Sequence, residues 1–320
     1  MGRAVLVLFA ALSAARAFAS GMELTASTGT GIIYGVAKEL VYSTSAYNGQ
    51  SYTESELDWA LQPLLVGKAS LSLRTSIGLA ASLELGLGVP LRTGSVSDSD
   101  WLNYDVNGDP TRTNYSQQDC FTERAVLLDA RVGWEAPLTG WLILQPFLLF
   151  EFMDFKWTAR DGYAQYPVGY PGSGPPYVPS QVQTPVSGVV IIYEQTWYIP
   201  AAGIETTFHA GDFGGTVSFA FSPFAFCSDV DNHLAAAKDF YDTMSNGLLL
   251  EPGLSLWWRT GNRRISLDIS YRHIGGLLGN TSVVLTGIGK PPGQVANTFA
   301  NGAGASFDSL NIFLAMTWMP

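Results

Sequence analysis

Ile77-Gly78-Leu79-Ala80-Ala81-Ser82-Leu83-Glu84-Leu85-Gly86-Leu87-Gly88-Val89 carries an apolar residue at every odd position and a small or polar one at every even position. A period of two marks a strand whose two faces meet different surroundings. Ile265-Ser266-Leu267-Asp268-Ile269-Ser270-Tyr271-Arg272 repeats the pattern with charges on its even face. A strand of a soluble sandwich alternates too, but its polar face meets bulk water and takes Lys and Glu freely. Small residues facing inward and bulky ones outward fit a barrel with lipid around it. The class expected is all-β, a ten-stranded antiparallel transmembrane β-barrel with long extracellular loops.

Working outward from those segments, ten strands are predicted, at about 23–42, 54–72, 76–93, 121–136, 140–158, 187–208, 213–227, 246–260, 263–275 and 304–319. The connections at Arg74-Thr75, Ala136-Pro137-Leu138-Thr139, Gly211-Asp212 and Gly261-Asn262 are tight turns. Those at 94–120, 159–186, 228–245 and 276–303 read as long loops rich in Gly, Pro, Asn and Ser. Tight turns on one side and long loops on the other are the pattern of outer-membrane barrels, long loops outside. An even strand count returns both ends to the periplasm. Several predicted strands exceed the ~9–11 residues that cross lipid, so the barrel should project outward. Trp59, Trp134, Trp141, Trp157, Trp197, Trp257, Trp258 and Trp318 recur near strand ends and are expected to form interfacial girdles.

Composition agrees with this class. Hydrophobic residues make up 47% of the chain but charged ones only 14%, against about 25% in soluble domains. No uncharged apolar run reaches the ~20 residues of a spanning helix. At the start, Arg3, the apolar run Ala4 to Leu12 and Ala17-Phe18-Ala19 read as an export signal over residues 1–19, leaving a single barrel domain over 20–320. The net charge of -10 argues against nucleic acid, whose phosphates require a basic face, and suits basic peptides or proteins. Cys120 and Cys227 fall beside predicted loops on one side, which leaves both a disulfide and two unpaired thiols open.

Two acidic clusters stand where strands run out into loops: Asp98-Ser99-Asp100 and Asp229-Val230-Asp231-Asn232-His233. In a closed barrel both lie on the outer rim. Residues two apart share a strand face, so Asp98 goes with Asp100, and Asp229, Asp231 and His233 form a second stripe. An Asp-x-Asp pair alone is usually a solvated loop or a calcium ligand. Combined with an Asp-x-His pair it offers a base working near neutral pH, His233 held by Asp231. His209, beside a periplasmic turn, reads as structural, and His273 as at most supporting.

These segments resemble the omptins, a family of ten-stranded outer-membrane aspartate and histidine proteases. Gly94-Ser95-Val96-Ser97-Asp98-Ser99-Asp100-Trp101 is similar to the family's first acidic motif, and Ser228-Asp229-Val230-Asp231-Asn232-His233 to its Ser-Asp-x-Asp-x-His motif. Lys38-Glu39-Leu40-Val41-Tyr42, Leu57-Asp58-Trp59, Thr158-Ala159-Arg160-x-Gly162, Gly279-Asn280-Thr281-Ser282 and Asn301-Gly302-Ala303-Gly304 follow the family in order along the chain. The resemblance implies a catalytic set of Asp98, Asp100, Asp231 and His233. It also implies a pocket formed by Glu39 and Asp229 for the Arg or Lys before the cut bond. No metal or other cofactor is expected, and the partners expected are basic peptide or protein substrates, including host proteins, and outer-membrane lipid, with a monomeric barrel. Omptins require lipopolysaccharide held by basic residues on the outer wall. Here Thr196 occupies one such position and Asp154 precedes Thr158, so that requirement is expected to be lost or altered. The competing reading is a non-proteolytic adhesin or scaffold whose acids bind basic host proteins. A porin is disfavoured, because side chains can largely fill ten strands.

Overall fold

The computed structural model describes residues 21–104, 109–167, 182–234, 236–286 and 295–319. The export signal and the Pro- and Gly-rich stretch 170–177 lie outside the described residues. Ten strands close a ring: β1 (Met22–Thr44), β2 (Ser51–Thr75), β3 (Leu79–Gly88, resuming as Leu91–Asp100), β4 (Asn114–Trp134) and β5 (Leu142–Gln165). β6 (Val189–Ala210), β7 (Phe213–His233), β8 (Lys238–Thr260), β9 (Arg263–Gly275, resuming as Leu278–Leu285) and β10 (Val295–Trp318) complete it. Every neighbour pairs antiparallel, and β10 returns to β1 with Ala26 opposite Trp318 and Val41 opposite Ala303. The ring therefore leaves no unpaired edge, which lipid would penalise heavily.

The period-two segments behave as their chemistry demands. On β3, Leu83, Leu85 and Leu87 face outward, while Glu84 points inward to Lys68 at 2.6 Å. On β9, Ile265, Leu267 and Tyr271 face outward and Ser266 and Arg272 are buried inside. Exposed apolar side chains run from Leu79 to Val89 on β3, Phe213 to Phe226 on β7 and Ile265 to Tyr271 on β9. The lipid-facing band thus occupies the turn-side halves of the strands. Inside this band Arg272 bonds Glu151 at 2.7 Å and Glu251 at 2.6 Å, a charged knot that fills the bore. Above it lies an apolar core that includes Met153, Phe155, Trp197 and Phe307.

Two expectations need correction. The segments read as loops at 94–120, 228–245 and 276–303 are largely strand, since β3 runs to Asp100, β4 begins at Asn114, β7 reaches His233 and β8 begins at Lys238. At 159–186, β5 continues as far as Gln165, and residues 168–181 lie outside the described residues. Above the lipid the outer face meets water, so hydrophobic alternation fades while backbone pairing continues. The tryptophans also divide. Trp134, Trp141 and Trp258 are exposed beside the tight turns, as a girdle requires, but Trp59, Trp157 and Trp197 are fully buried and Trp257 nearly so. Position along a strand gives a residue's height, whereas parity decides whether it faces lipid or lumen. Trp59 stacks with Tyr193 at 5.1 Å and with Trp157 at 6.0 Å between ring centroids, inside the barrel. Both cysteines are buried and free.

Candidate functional site

The aromatic stack forms a floor, and above it the acidic motifs of the sequence converge. β3 and β7 bring them there by different local devices. On β3 the register shifts between Arg92 and Gly94, where Gly94 adopts a φ of 125°. Such a bulge re-aims the residues beyond it, and past it Val96, Asp98 and Asp100 turn to the lumen. On β7 the register shifts between Ser222 and Ala225, after which Cys227, Asp229 and Asp231 line the inner wall.

Asp98 is 9% exposed, opposite Leu57 on β2 and Ser116 on β4, with buried Val96 beneath it. This apolar surround, with Asp100 as a like-charged neighbour, pushes its carboxyl up to about 7. Asp100 accepts a hydrogen bond from Asn114 Nδ2 at 3.1 Å and faces Ser55 across the ladder. Its pKa is raised by burial, against the lowering effect of Ser55 and Asn114.

On the other wall His233 Nε2 lies 2.5 Å from Asp231 Oδ2, and the Asp231 side chain is 1% exposed. Burial alone would lower the imidazole pKa. The charge and hydrogen bond of Asp231, with help from Asp98 and Asp100, outweigh it and hold His233 at about 9. The two couples thus sit within each other's field at the mouth of the barrel, where Asp98 feels His233 and His233 feels both acids of β3. Two carboxylates and an imidazolium–carboxylate pair facing one space can hold and polarise a water molecule.

Glu39 and Asp229 lie in the same wall, 2% and 3% exposed. Tyr193 donates to Asp229 Oδ2 at 2.9 Å, Gln195 Nε2 donates to the Tyr193 hydroxyl at 2.8 Å, and Trp197 Nε1 donates to Gln195 Oε1 at 3.0 Å. Burial first, then the charges of Asp231, Asp229 and Asp242, raise Glu39 well above the ordinary carboxylate range. Asp229 is raised likewise by burial and by Asp242. Asp242 was not singled out in the sequence, because 228–245 read as a loop. Folding that segment as a hairpin would have found it, since Asp242 stands directly opposite Asp229.

His273 is not in this group; it pairs with Asp308 at 2.7 Å on the outer wall. His209 lies at the turn-side mouth, edge-on to Trp257. Glu39, Asp98, Asp100, Asp229, Asp231 and His233, the six site residues expected from the sequence, all lie on the rim away from the tight turns. Among the described residues no cluster of His, Cys, Asp and Glu has the geometry to hold a metal ion.

Comparison with known proteins agrees with the barrel fold. The family model described as the Omptin family matches residues 20–318. The plasminogen activator of Yersinia pestis is 23% identical over 262 residues, 78% of this chain and 75% of that protein. The crystal structure of the outer membrane protease OmpT from Escherichia coli superposes with a TM-score of 0.79 at 18% identity, covering 93% of this chain and 97% of that one. The chain belongs to the omptin family of outer-membrane proteases.

Proposed function

We propose that this chain is an endopeptidase that cuts after Arg or Lys, including between two basic residues, using water activated by His233 and Asp98. The observation carrying the reading is the meeting of the Asp98–Asp100 couple with the Asp231–His233 couple across one mouth, each within the other's field. Asp231 holds the ring through Nε2, which leaves Nδ1 as the nitrogen that takes a proton. In the resting protein at neutral pH the ring is cationic. A substrate that brings a positive side chain and expels water lowers the ring's pKa and readies it as a base.

The water held between Asp98 and His233 then adds to the scissile carbonyl and gives its proton to His233. Asp231 stabilises the imidazolium, which returns the proton to the leaving amine as the C–N bond breaks. Asp98 and Asp100 share a proton, since neighbouring carboxylates resist double ionisation, and the shared proton can polarise the carbonyl oxygen. Glu39 and Asp229 supply the carboxylates for the basic side chain before the cut bond. A neutral side chain there would leave them unpaired, which gives strong selectivity.

On the outer wall Arg124 is bound to Asp154 at 2.8 Å and to Glu194 at 2.6 Å, and Lys156 lies 3.6 Å from Glu194. With these bases already neutralised, activity is expected without lipopolysaccharide; strong dependence in detergent would refute that point. The test of the main reading is cleavage of a fluorogenic Arg-Arg peptide by refolded protein, comparing wild type with Asp98→Ala and His233→Ala. Both variants should be inactive. Unchanged cleavage in both removes the site assignment, and inert wild type under several lipid conditions favours the adhesin reading.

A further inference from the structure

Four carboxylates crowd the wall beside His233: Glu39, Asp229, Asp231 and Asp242, all at most 3% exposed. Asp231 has His233 as its counter-ion. Among the described residues no ion pair reaches the other three, and each has a buried oxygen without a hydrogen-bond partner: Glu39 Oε2, Asp229 Oδ1 and Asp242 Oδ1. Lys38, the chain neighbour of Glu39, turns outward to Glu56 and Asp58 at 2.5 and 3.0 Å. Burying three acids without a cation is costly unless the cation arrives with a ligand.

The three acids come from different strands, β1, β7 and β8. Asp229 and Asp242 are opposite one another in the β7–β8 ladder and so share the lumen face. Asp242 lies between Asp229 and Thr281 of β9, extending the acidic wall one strand further round the ring. Gln195 Nε2 donates to the carbonyl of Lys38, the residue before Glu39, at 3.2 Å and also to the Tyr193 hydroxyl that holds Asp229. This ties Glu39 of β1 to the acids of β7 and β8, and Glu39 feels the charge of both Asp229 and Asp242. A single ammonium and a single guanidinium meet such a wall differently. Lysine's ammonium is compact and strongly hydrated. Arginine's guanidinium is weakly hydrated and presents five N–H donors in one plane, pointing to several sides. Acceptors spread over three strands suit the planar, many-sided cation.

We propose that Asp242 is a third acid of the pocket for the side chain before the cut bond, and that with Glu39 and Asp229 it makes the pocket select arginine over lysine. This rests on the reading of Glu39 and Asp229 as that pocket. Asp242 is a specificity residue with no part in bond breaking.

The test compares kcat/KM for three peptides identical except for Arg, Lys or the neutral norleucine before the scissile bond, in wild type, Asp242→Asn and Asp229→Asn. Wild type should favour Arg by about tenfold or more, the equivalent of ~1.4 kcal/mol, and Asp242→Asn should bring the ratio close to one, mainly through KM for the Arg peptide. Because a variant can fold poorly, competitive inhibition of the wild-type enzyme by methylguanidinium and methylammonium gives an independent measure, with methylguanidinium expected to inhibit at lower concentration. An unchanged Arg-to-Lys ratio in folded Asp242→Asn, with basic preference lost in Asp229→Asn, overturns this inference and leaves the pocket standing. Wild type that cuts equally well after a neutral residue overturns both. Equal inhibition by the two cations overturns the arginine selectivity.

Discussion

Asp231→Asn isolates the contact on which the site's electrostatics turn. The imidazole of His233 is held at about 9 against an ordinary 6.5, which corresponds to roughly 3–4 kcal/mol of net preference for the charged ring. Burial works in the opposite direction, so the attraction of Asp231 and its helpers exceeds that net figure. Removing the carboxylate while keeping the shape should lower the His233 titration midpoint by about one to three units, the scale of a close opposite charge. The chain has 3 histidines, so ring resonances of refolded protein can be assigned with His209→Gln and His273→Gln and followed by NMR from pH 5 to 10. Activity should track the same equilibrium. In wild type kcat/KM should rise as pH climbs toward about 9, because the neutral ring is the base. In Asp231→Asn the rising limb should move toward acid while the plateau falls by orders of magnitude, because the ring loses its orienting partner. A wild-type His233 that titrates near its ordinary value, or a midpoint unmoved in Asp231→Asn, would refute the reasoning.

Three further outcomes follow from the structure. Asp242 is raised from 3.8 to about 6, first by burial and then by the Asp231 charge, despite Thr281. A carboxyl raised in the folded state favours folding at low pH and loses that contribution as pH rises through the folded value. Asp242→Asn should therefore stabilise the barrel by up to ~3 kcal/mol above pH 6 and by nothing near pH 3.5; equal denaturation midpoints of variant and wild type at pH 8 would contradict this. Gly94→Ala places a Cβ 2.9 Å from Ala60 Cβ at a φ of 125°, costing ~1–3 kcal/mol. Displacement of Asp98 should cut kcat by on the order of 10²-fold, and full activity in a folded variant would show that the bulge does not aim the acids. Brominated lipid should quench Trp134, Trp141 and Trp258 in single-tryptophan variants but leave Trp59, Trp157 and Trp197 bright, as their exposures dictate.

The barrel was legible because lipid imposes a severe rule: Leu83, Leu85 and Leu87 have one solvent, Ser82 and Glu84 another, and the alternation records it. The rule lapses where the strands leave the membrane. Ser95 to Asp100 and Ser228 to His233 carry one apolar residue each, Val96 and Val230, so they read as loops although they pair along most of their length. The catalytic candidates were legible because their spacing of two survives that change. Asp242 escaped because its place depends on which residue it opposes across a hairpin, and no local pattern in Asp239-Phe240-Tyr241-Asp242 announces that partner. The buried tryptophans escaped for two reasons. β2 resets its parity at Gln62-Pro63, so that the inward series Val66, Leu64 continues as Leu61, Trp59. Trp157 and Trp197 instead keep the inward parity of Phe147 and Ile199 on their own strands, and nearness to a strand end says nothing of parity.

The Arg272–Glu151–Glu251 knot and the rings of Trp59, Trp157 and Phe155 also close a passage. A polypeptide that reaches the rim can neither thread through the bore nor discharge a fragment into the envelope, so entry and departure share one doorway. The cell's own periplasmic proteins are thereby kept from a cutting edge that never opens toward them.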